Sequence, residues 1–243
     1  MHKIERVPTG IPGLDDILHG GFIKGSNILI SGPAGTGKTI FCLQFLYAGI
    51  VKYNQPGILL TLEERPSELR REASLFGWDL SKLESEGKLV IIDGASSKAG
   101  LPTYESMALK STFSIETVAD KIYKAKEKIN AERIVIDSIS GLSFQLDSLN
   151  EIRDALFKLS SLLRELKLTS LMTTEVVDES RYSRYGVEEF ITQGLILLSL
   201  REIDGELKRS LIVRKMRGTS HSLKRFTVEI SNNGFVVMPT GEL

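Results

Sequence analysis

The run GPAGTGKT at residues 32–39 limits what this chain can fold into more than any other feature. It follows the apolar stretch Asn27 to Ser31. After it, Ile40, Phe41, Cys42, Phe45 and Leu46 make a helix apolar nearly all round. Strand, glycine-rich turn and helix together are the setting in which G-x-x-x-x-G-K-[ST] cradles a nucleoside triphosphate. Glycines let backbone N–H groups converge on phosphate without a Cβ in the way, and the following helix aims its positive end at the same charge. The expected nucleotide-binding set is Ala34, Gly35, Thr36, Gly37, Lys38, Thr39 and Ile40. Lys38 is expected to reach the β and γ phosphates, and the Thr39 hydroxyl to meet Mg²⁺. A helix buried on all sides makes Cys42 a core residue.

Such a loop needs a sheet to carry it. Strands are expected at Asn27 to Ser31, Gly57 to Leu62, Lys88 to Asp93, Arg133 to Asp137 and Ser170 to Thr174. Between them Ile115, Val118, Ile122, Ala125 and Ile129 recur at helical spacing, as do Ile152, Leu156, Leu159, Leu163 and Leu166. Ser148, three residues before Glu151, starts the second helix. Past about residue 190 the helical period stops. Gly194 to Ile203, Lys208 to Met216, Phe226 to Ile230 and Phe235 to Met238 read as strands, with Asp204-Gly205 and Asn233-Gly234 as hairpin turns. The fold class is therefore α/β, a mostly parallel sheet flanked by helices with C-terminal antiparallel strands. One domain is expected from 243 residues that are 42% hydrophobic. It divides into a lead-in (1–25), a phosphate-loop core (26–190) and an antiparallel extension (191–243). Ala95 to Thr112 is expected to be a long structureless loop.

Charge narrows the partners. Lys plus Arg and Asp plus Glu number 31 each, so no global field draws the chain to nucleic acid or membrane. A local patch exists, however: seven Lys or Arg and no acid lie between Leu207 and Phe226. In a strand there, Lys215 and Arg217 share one face and Arg214 lies with Ile212 on the other. Such a set clamps polyphosphate, tracks a nucleic-acid backbone, or is simply a solvated face. One cysteine, no apolar segment in MHKIERVPTG and no membrane-length run make the cytosol the expected compartment.

Hydrolysis also needs a carboxylate beside the metal and a group that activates water. Asp137 ends the apolar run Ile134 to Ile136, at the edge where open α/β sheets bind ligands. It is the expected Mg²⁺ partner, through water. The next residue is Ser138, not the Glu that many such sites use. Glu63-Glu64, which ends Ile58 to Leu62, is then the catalytic candidate, the alternative being a solvated acidic start to the helix after Pro66.

These residues resemble the KaiC/RadA-like ATPases of the RecA superfamily over nearly the whole chain. The likeness rests on TGIPGLDDILHGG (9–21), the phosphate loop, TLEERP (61–66), FGWDL (76–80), VIDSIS (135–140), LMTTE (171–175), RYGVEEF (184–190) and KMRGTSH (215–221). It implies a RecA-like P-loop core that binds ATP, hydrolyses it slowly and forms a homo-oligomer, a hexameric ring or smaller, with ATP between subunits. It assigns Glu63 and Glu64 as the catalytic pair. It also places Lys215, Met216, Arg217, Thr219 and His221 at the neighbouring subunit's ATP, with Ser231 and Asn232 near its base or sugar. As a lone domain the chain looks more like the archaeal KaiC-like RadA paralogues, some linked to DNA repair. That raises a second function, binding of single-stranded DNA through Arg181, Tyr182 and Arg184, which follow the strand where RecA-like proteins place a DNA-contacting loop. A packing or interface role is the other reading of those three residues.

Overall fold

The structure, a computed structural model, describes residues 4–110, 113–145, 148–176 and 181–242. In chain order the elements are β1 (Arg6–Val7), α1 (Leu14–Ile17), β2 (Phe22–Ile23), β3 (Asn27–Gly32), α2 (Lys38–Tyr53), β4 (Gly57–Thr61), α3 (Pro66–Leu75) and α4 (Leu80–Ser85). Then follow β5 (Leu89–Asp93), α5 (Ala95–Lys98), α6 (Ile115–Ile129), β6 (Arg133–Asp137), a 3₁₀ segment (Ile139–Gln145), α7 (Leu149–Glu165) and β7 (Thr169–Glu175). The chain closes with α8 (Glu188–Ile191), β8 (Gly194–Ile203), β9 (Glu206–Met216), β10 (Arg225–Ser231) and β11 (Gly234–Glu242).

Nine strands form one sheet in the order β11-β10-β9-β8-β3-β7-β6-β4-β5. From β8 to β5 all neighbours are parallel, and β3, β4 and β6 are buried along their whole length, as a strand covered on both faces must be. One apolar layer packs α2 and the lead-in against one face, through Phe22, Phe41 and Phe45. A second packs α6 and α7 against the other, through Val118, Ile122, Leu159 and Leu163. Each such side chain contributes about 1.5–3 kcal/mol by leaving water.

Local signals set the helix limits. Ser114 Oγ accepts from Thr117 N at 3.3 Å and Ser148 Oγ from Glu151 N at 3.2 Å, capping α6 and α7. Asn54 and Asn130, at φ 54° and 50°, end α2 and α6 in left-handed turns.

Three details depart from the expected fold. The C-terminal strands do not begin as a purely antiparallel group: β8 is parallel to β3 on one side and antiparallel to β9 on the other, so the hairpins extend the same sheet. The stretch from Ala95 to Thr112 is not structureless where it is described, up to residue 110. It holds α5, and Ala108 bridges Asp93 in parallel. Polar contacts rather than an apolar period fix it. Asp93 accepts from Ser96 N at 3.0 Å and from Thr103 Oγ1 at 2.6 Å, and Arg70 joins Glu105 to Glu84 through paired bonds of 2.7 to 2.8 Å. The second hairpin turn is also shifted by one residue, since Gly234 pairs with Ser231 and the central residues are Asn232 and Asn233.

Candidate nucleotide site

The ends of β3, β4, β6 and β7 open on one cavity of about 560 Å³. Ala34, Gly35, Gly37, Lys38, Thr39 and Ile40 line it from the phosphate loop, and Glu63, Glu64 and Asp137 from the strand ends. Thr36 turns inward, and its hydroxyl donates to Pro33 O at 2.8 Å. Gly37 has a φ of 94°, and a Cβ there would lie 2.5 Å from Ile230 Cδ1, so the loop admits only glycine at this point. Among the described residues the amides from Gly35 to Ile40 donate to no backbone carbonyl. That row of open donors suits phosphate oxygens.

Lys38 Nζ donates to Gly32 O at 2.8 Å and to Pro33 O at 2.9 Å. Burial lowers its pKa against the pull of Glu175, Asp137 and Glu63. Asp137 is buried at the end of β6. Its Oδ2 accepts from Thr39 Oγ1 at 2.8 Å and its Oδ1 from Thr173 Oγ1 at 2.5 Å. Burial raises its pKa, and the two hydroxyls oppose that rise. A threonine hydroxyl held against a carboxylate fits Mg²⁺, a hard ion that takes one or two protein groups and fills its octahedron with water and phosphate. Among the described residues no group of three or more His, Cys, Asp or Glu is arranged to hold a metal ion.

The two adjacent glutamates differ. Glu63 is exposed and accepts from Ser138 Oγ at 2.5 Å, which ties it to the turn after β6. Glu64 is half-buried, and its pKa is pushed up to about 7, first by lost hydration and then by Glu72, Asp137, Glu68 and Glu63.

Five lining residues had escaped the sequence reading: Glu72, Ser138, Glu175, Arg209 and Ile230. Glu175 ends β7 just as Asp137 ends β6, so the strand-end rule could have found it. Arg209 reaches the loop from β9, with Nε donating to Gly35 O at 3.1 Å, a pairing of distant segments that carries no local signal.

The basic segment splits in two. Lys215 pairs with Leu195 at the start of β8, level with the start of β3 and therefore at the edge opposite the phosphate loop. Its Nζ donates to Glu189 O at 2.7 Å and to Thr192 O at 2.6 Å. Burial and nearby Arg217 lower its pKa. Met216 is buried, Thr219 Oγ1 accepts from Arg6 at 3.1 Å, and His221 lies 3.1 Å from Ser222 O. Ser231 and Asn232 lie at the other end of the β9–β10 pair, about 30 Å away at strand rise, next to Ile230 and hence beside the chain's own loop. Arg181 and Tyr182 line a cleft over β8 and β9, while Arg184 stacks on Tyr185 at 5.9 Å.

A phosphate loop between a buried strand and a buried helix, with a carboxylate beside its threonine at the sheet's carboxyl edge, defines a P-loop protein of RecA-like fold. The chain belongs to the KaiC ATPase family, whose model matches residues 7–242. It is 45% identical to a UPF0273 protein of Methanocaldococcus jannaschii over 238 residues, 97% of either chain. It is 40% identical to the circadian clock oscillator protein KaiC of Parathermosynechococcus lividus, covering all of this chain and 44% of that protein. The crystal structure of a KaiC-like protein from Pyrococcus horikoshii OT3 superposes with a TM-score of 0.85 at 43% identity, covering 98% of this chain and all of that one. No helix among the described residues is long and apolar enough to cross a membrane.

Proposed function

We propose that this chain is a slow ATPase that binds Mg-ATP at the Gly32–Thr39 loop and assembles with copies of itself, the nucleotide lying at the contact between subunits. One observation carries the reading: a single cavity gathers Lys38, Thr39 and Asp137 on one side and Glu63 and Glu64 on the other. In the reaction, the loop amides and Lys38 hold the phosphates and draw off charge from the β–γ bridge. Mg²⁺, when bound, supplies Lewis-acid neutralisation of the same oxygens. Thr39 would hold it, with Asp137 as the second protein group, through water.

Glu64 is assigned as the base. Its proton affinity lies near neutral pH, where a base is most effective, and it faces the cavity. Glu63, held by Ser138, orients the attacking water. The family resemblance assigns Lys215, Met216, Arg217, Thr219 and His221 to a neighbour's γ-phosphate, and their place at the far edge of their own sheet supports that assignment. Ser231 and Asn232 stand beside the chain's own loop, which favours their serving the base or sugar of the nucleotide bound there.

Turnover measured on Lys38→Ala tests the site: loss of ATP binding and of hydrolysis is expected, and retained hydrolysis would sink the proposal. A second reading, binding of single-stranded DNA, is favoured by Arg181 and Tyr182 lining one basic cleft. Anisotropy with a labelled strand tests it, and the absence of salt-sensitive binding would end it.

A further inference from the structure

A groove of about 720 Å³ runs between α7 and α8, on the face of the sheet opposite α2. Arg153, Phe157 and Arg164 line it from α7, Phe190 from α8, and Arg217 just past the end of β9. Phe157 is 59% exposed and Phe190 72%. Phe157 follows Leu156 on α7 but lies outside the stripe of Ile152, Leu156, Leu159 and Leu163 that packs on the sheet. A single exposed phenylalanine is ordinary, whereas two in one groove mark a surface that another molecule covers.

The turn that carries Phe190 is held from two sides. Lys215 Nζ donates to Glu189 O at 2.7 Å and to Thr192 O at 2.6 Å, one before and one after the phenylalanine. The buried Glu188 carboxylate accepts from Tyr185 N at 3.2 Å and from Val187 N at 3.1 Å. Phe190 is thus presented on a fixed backbone, and an anchor set in place beforehand loses less freedom on docking. An arginine between two aromatic rings is also the composition found at the centres of protein interfaces.

Building on the self-assembly proposed above, we infer that this groove seats the carboxyl edge of a second copy of the chain, with Phe157 and Phe190 as its apolar anchors and Lys215 positioning the second of them. Arg217 lies in the same groove, so whatever covers the phenylalanines meets the residue assigned to a neighbour's nucleotide. Charge favours the same occupant. Among the described lining residues the groove carries Arg153, Arg164 and Arg217 against Asp154. The nucleotide cavity at the carboxyl edge carries Glu63, Glu64, Glu72, Asp137 and Glu175 against Lys38 and Arg209. Patches of opposite sign on a chain of zero net charge steer two copies together head to tail.

Sedimentation of the full chain across a dilution series in Mg-ATP is the test. The parent chain is expected to assemble, and Phe157→Asp with Phe190→Asp to need about tenfold more protein for the same assembly, the scale of two lost aromatic anchors. Both side chains are exposed, so the variant keeps its fold, and Phe157→Leu with Phe190→Leu should recover part of the loss. Arg153→Glu with Arg164→Glu, which spares the aromatic pair, should weaken assembly too, and most at low salt. A fluorescent ATP analogue should still bind the aspartate variant, which separates a lost contact from a damaged loop. Assembly unchanged by the aspartate and glutamate changes overturns the inference and leaves the proposed ATPase standing. A parent chain that stays monomeric throughout overturns both the groove's role and the self-assembly. Binding of a labelled single-stranded oligonucleotide that falls with the same changes while assembly holds would make the occupant a nucleic acid, and the inference would fall.

Discussion

Glu64 stands half-buried among Glu63, Glu68, Glu72 and Asp137, and its proton is held up to about pH 7 against 4.5 for an ordinary glutamate. Between those two values the folded chain binds more proton than the unfolded chain does. Stability from this group therefore falls as pH rises from 4.5 to about 7 and is level above that. Glu64→Gln is expected to raise the thermal midpoint of the nucleotide-free chain at pH 8, with the gain shrinking as pH falls through 7 and vanishing below 4.5. An equal gain at pH 5 and pH 8 would remove the charge explanation. The same substitution should lower ATP turnover by about 10²-fold or more, the usual scale for loss of a general base. Arg133 is a residue of another kind, fully buried, with donors to Pro8 O at 2.8 Å, Phe45 O at 3.0 Å and Gln55 Oε1. It pins the lead-in to α2 and β6. Arg133→Ala should cost about 3–5 kcal/mol, since it leaves acceptors unpaired in a cavity, and should make the lead-in sensitive to protease. A denaturant midpoint within error of the parent chain would show that those bonds contribute nothing.

Among the elements, those with a strong local signal were legible in the sequence. The strands carrying the loop, Asp137 and Glu63-Glu64 read as continuous apolar runs because they are covered on both faces. Helices α6 and α7 read through their period, and Ser148 gave the start of α7. What could not be read depends on residues distant in sequence. The β1–β2 pair is two residues long on each side, the 95–110 segment is held by Arg70 and Asp93, and the position of β11 is set by α2. In the last case Gln44 imitates a neighbouring strand: its Oε1 accepts from Phe235 N at 2.6 Å and its Nε2 donates to Phe235 O at 3.0 Å. Gly234, with φ 101°, lets the chain pass beside it, and a Cβ would lie 2.4 Å from Gln44 Oε1 and 2.7 Å from Trp78 Cζ2. Gly234→Ala is therefore expected to cost about 1–3 kcal/mol through strain and overpacking. Trp78 is the only tryptophan and is 7% exposed, so its emission should shift to the red. Unchanged emission and stability would mean that the hairpin moves aside freely.

At the scale of the whole molecule, the nine-stranded sheet separates two halves of the proposed chemistry. The loop, Asp137 and the glutamates occupy the carboxyl edge of the parallel strands, while Lys215 and Arg217 occupy the amino edge two strands away. No side chain is long enough to join them within one chain, so the proposed assembly is a head-to-tail contact, with the basic edge of one copy against the loop of the next. This gives a test that a self-contained site would fail. Lys38→Ala loses the nucleotide but keeps the basic edge, and Arg217→Ala keeps the nucleotide and loses the edge. Each variant alone should be nearly inactive, the second by about 10³-fold or more if Arg217 works as an arginine finger. Mixed in equal amounts and allowed to exchange subunits, they should regain about a quarter of wild-type turnover, because random neighbours in a head-to-tail assembly pair an intact loop with an intact edge at that frequency. Turnover of the mixture equal to the mean of the two separate variants would show that each chain completes its own site, and the assignment of Lys215 and Arg217 to a neighbour would fall with it.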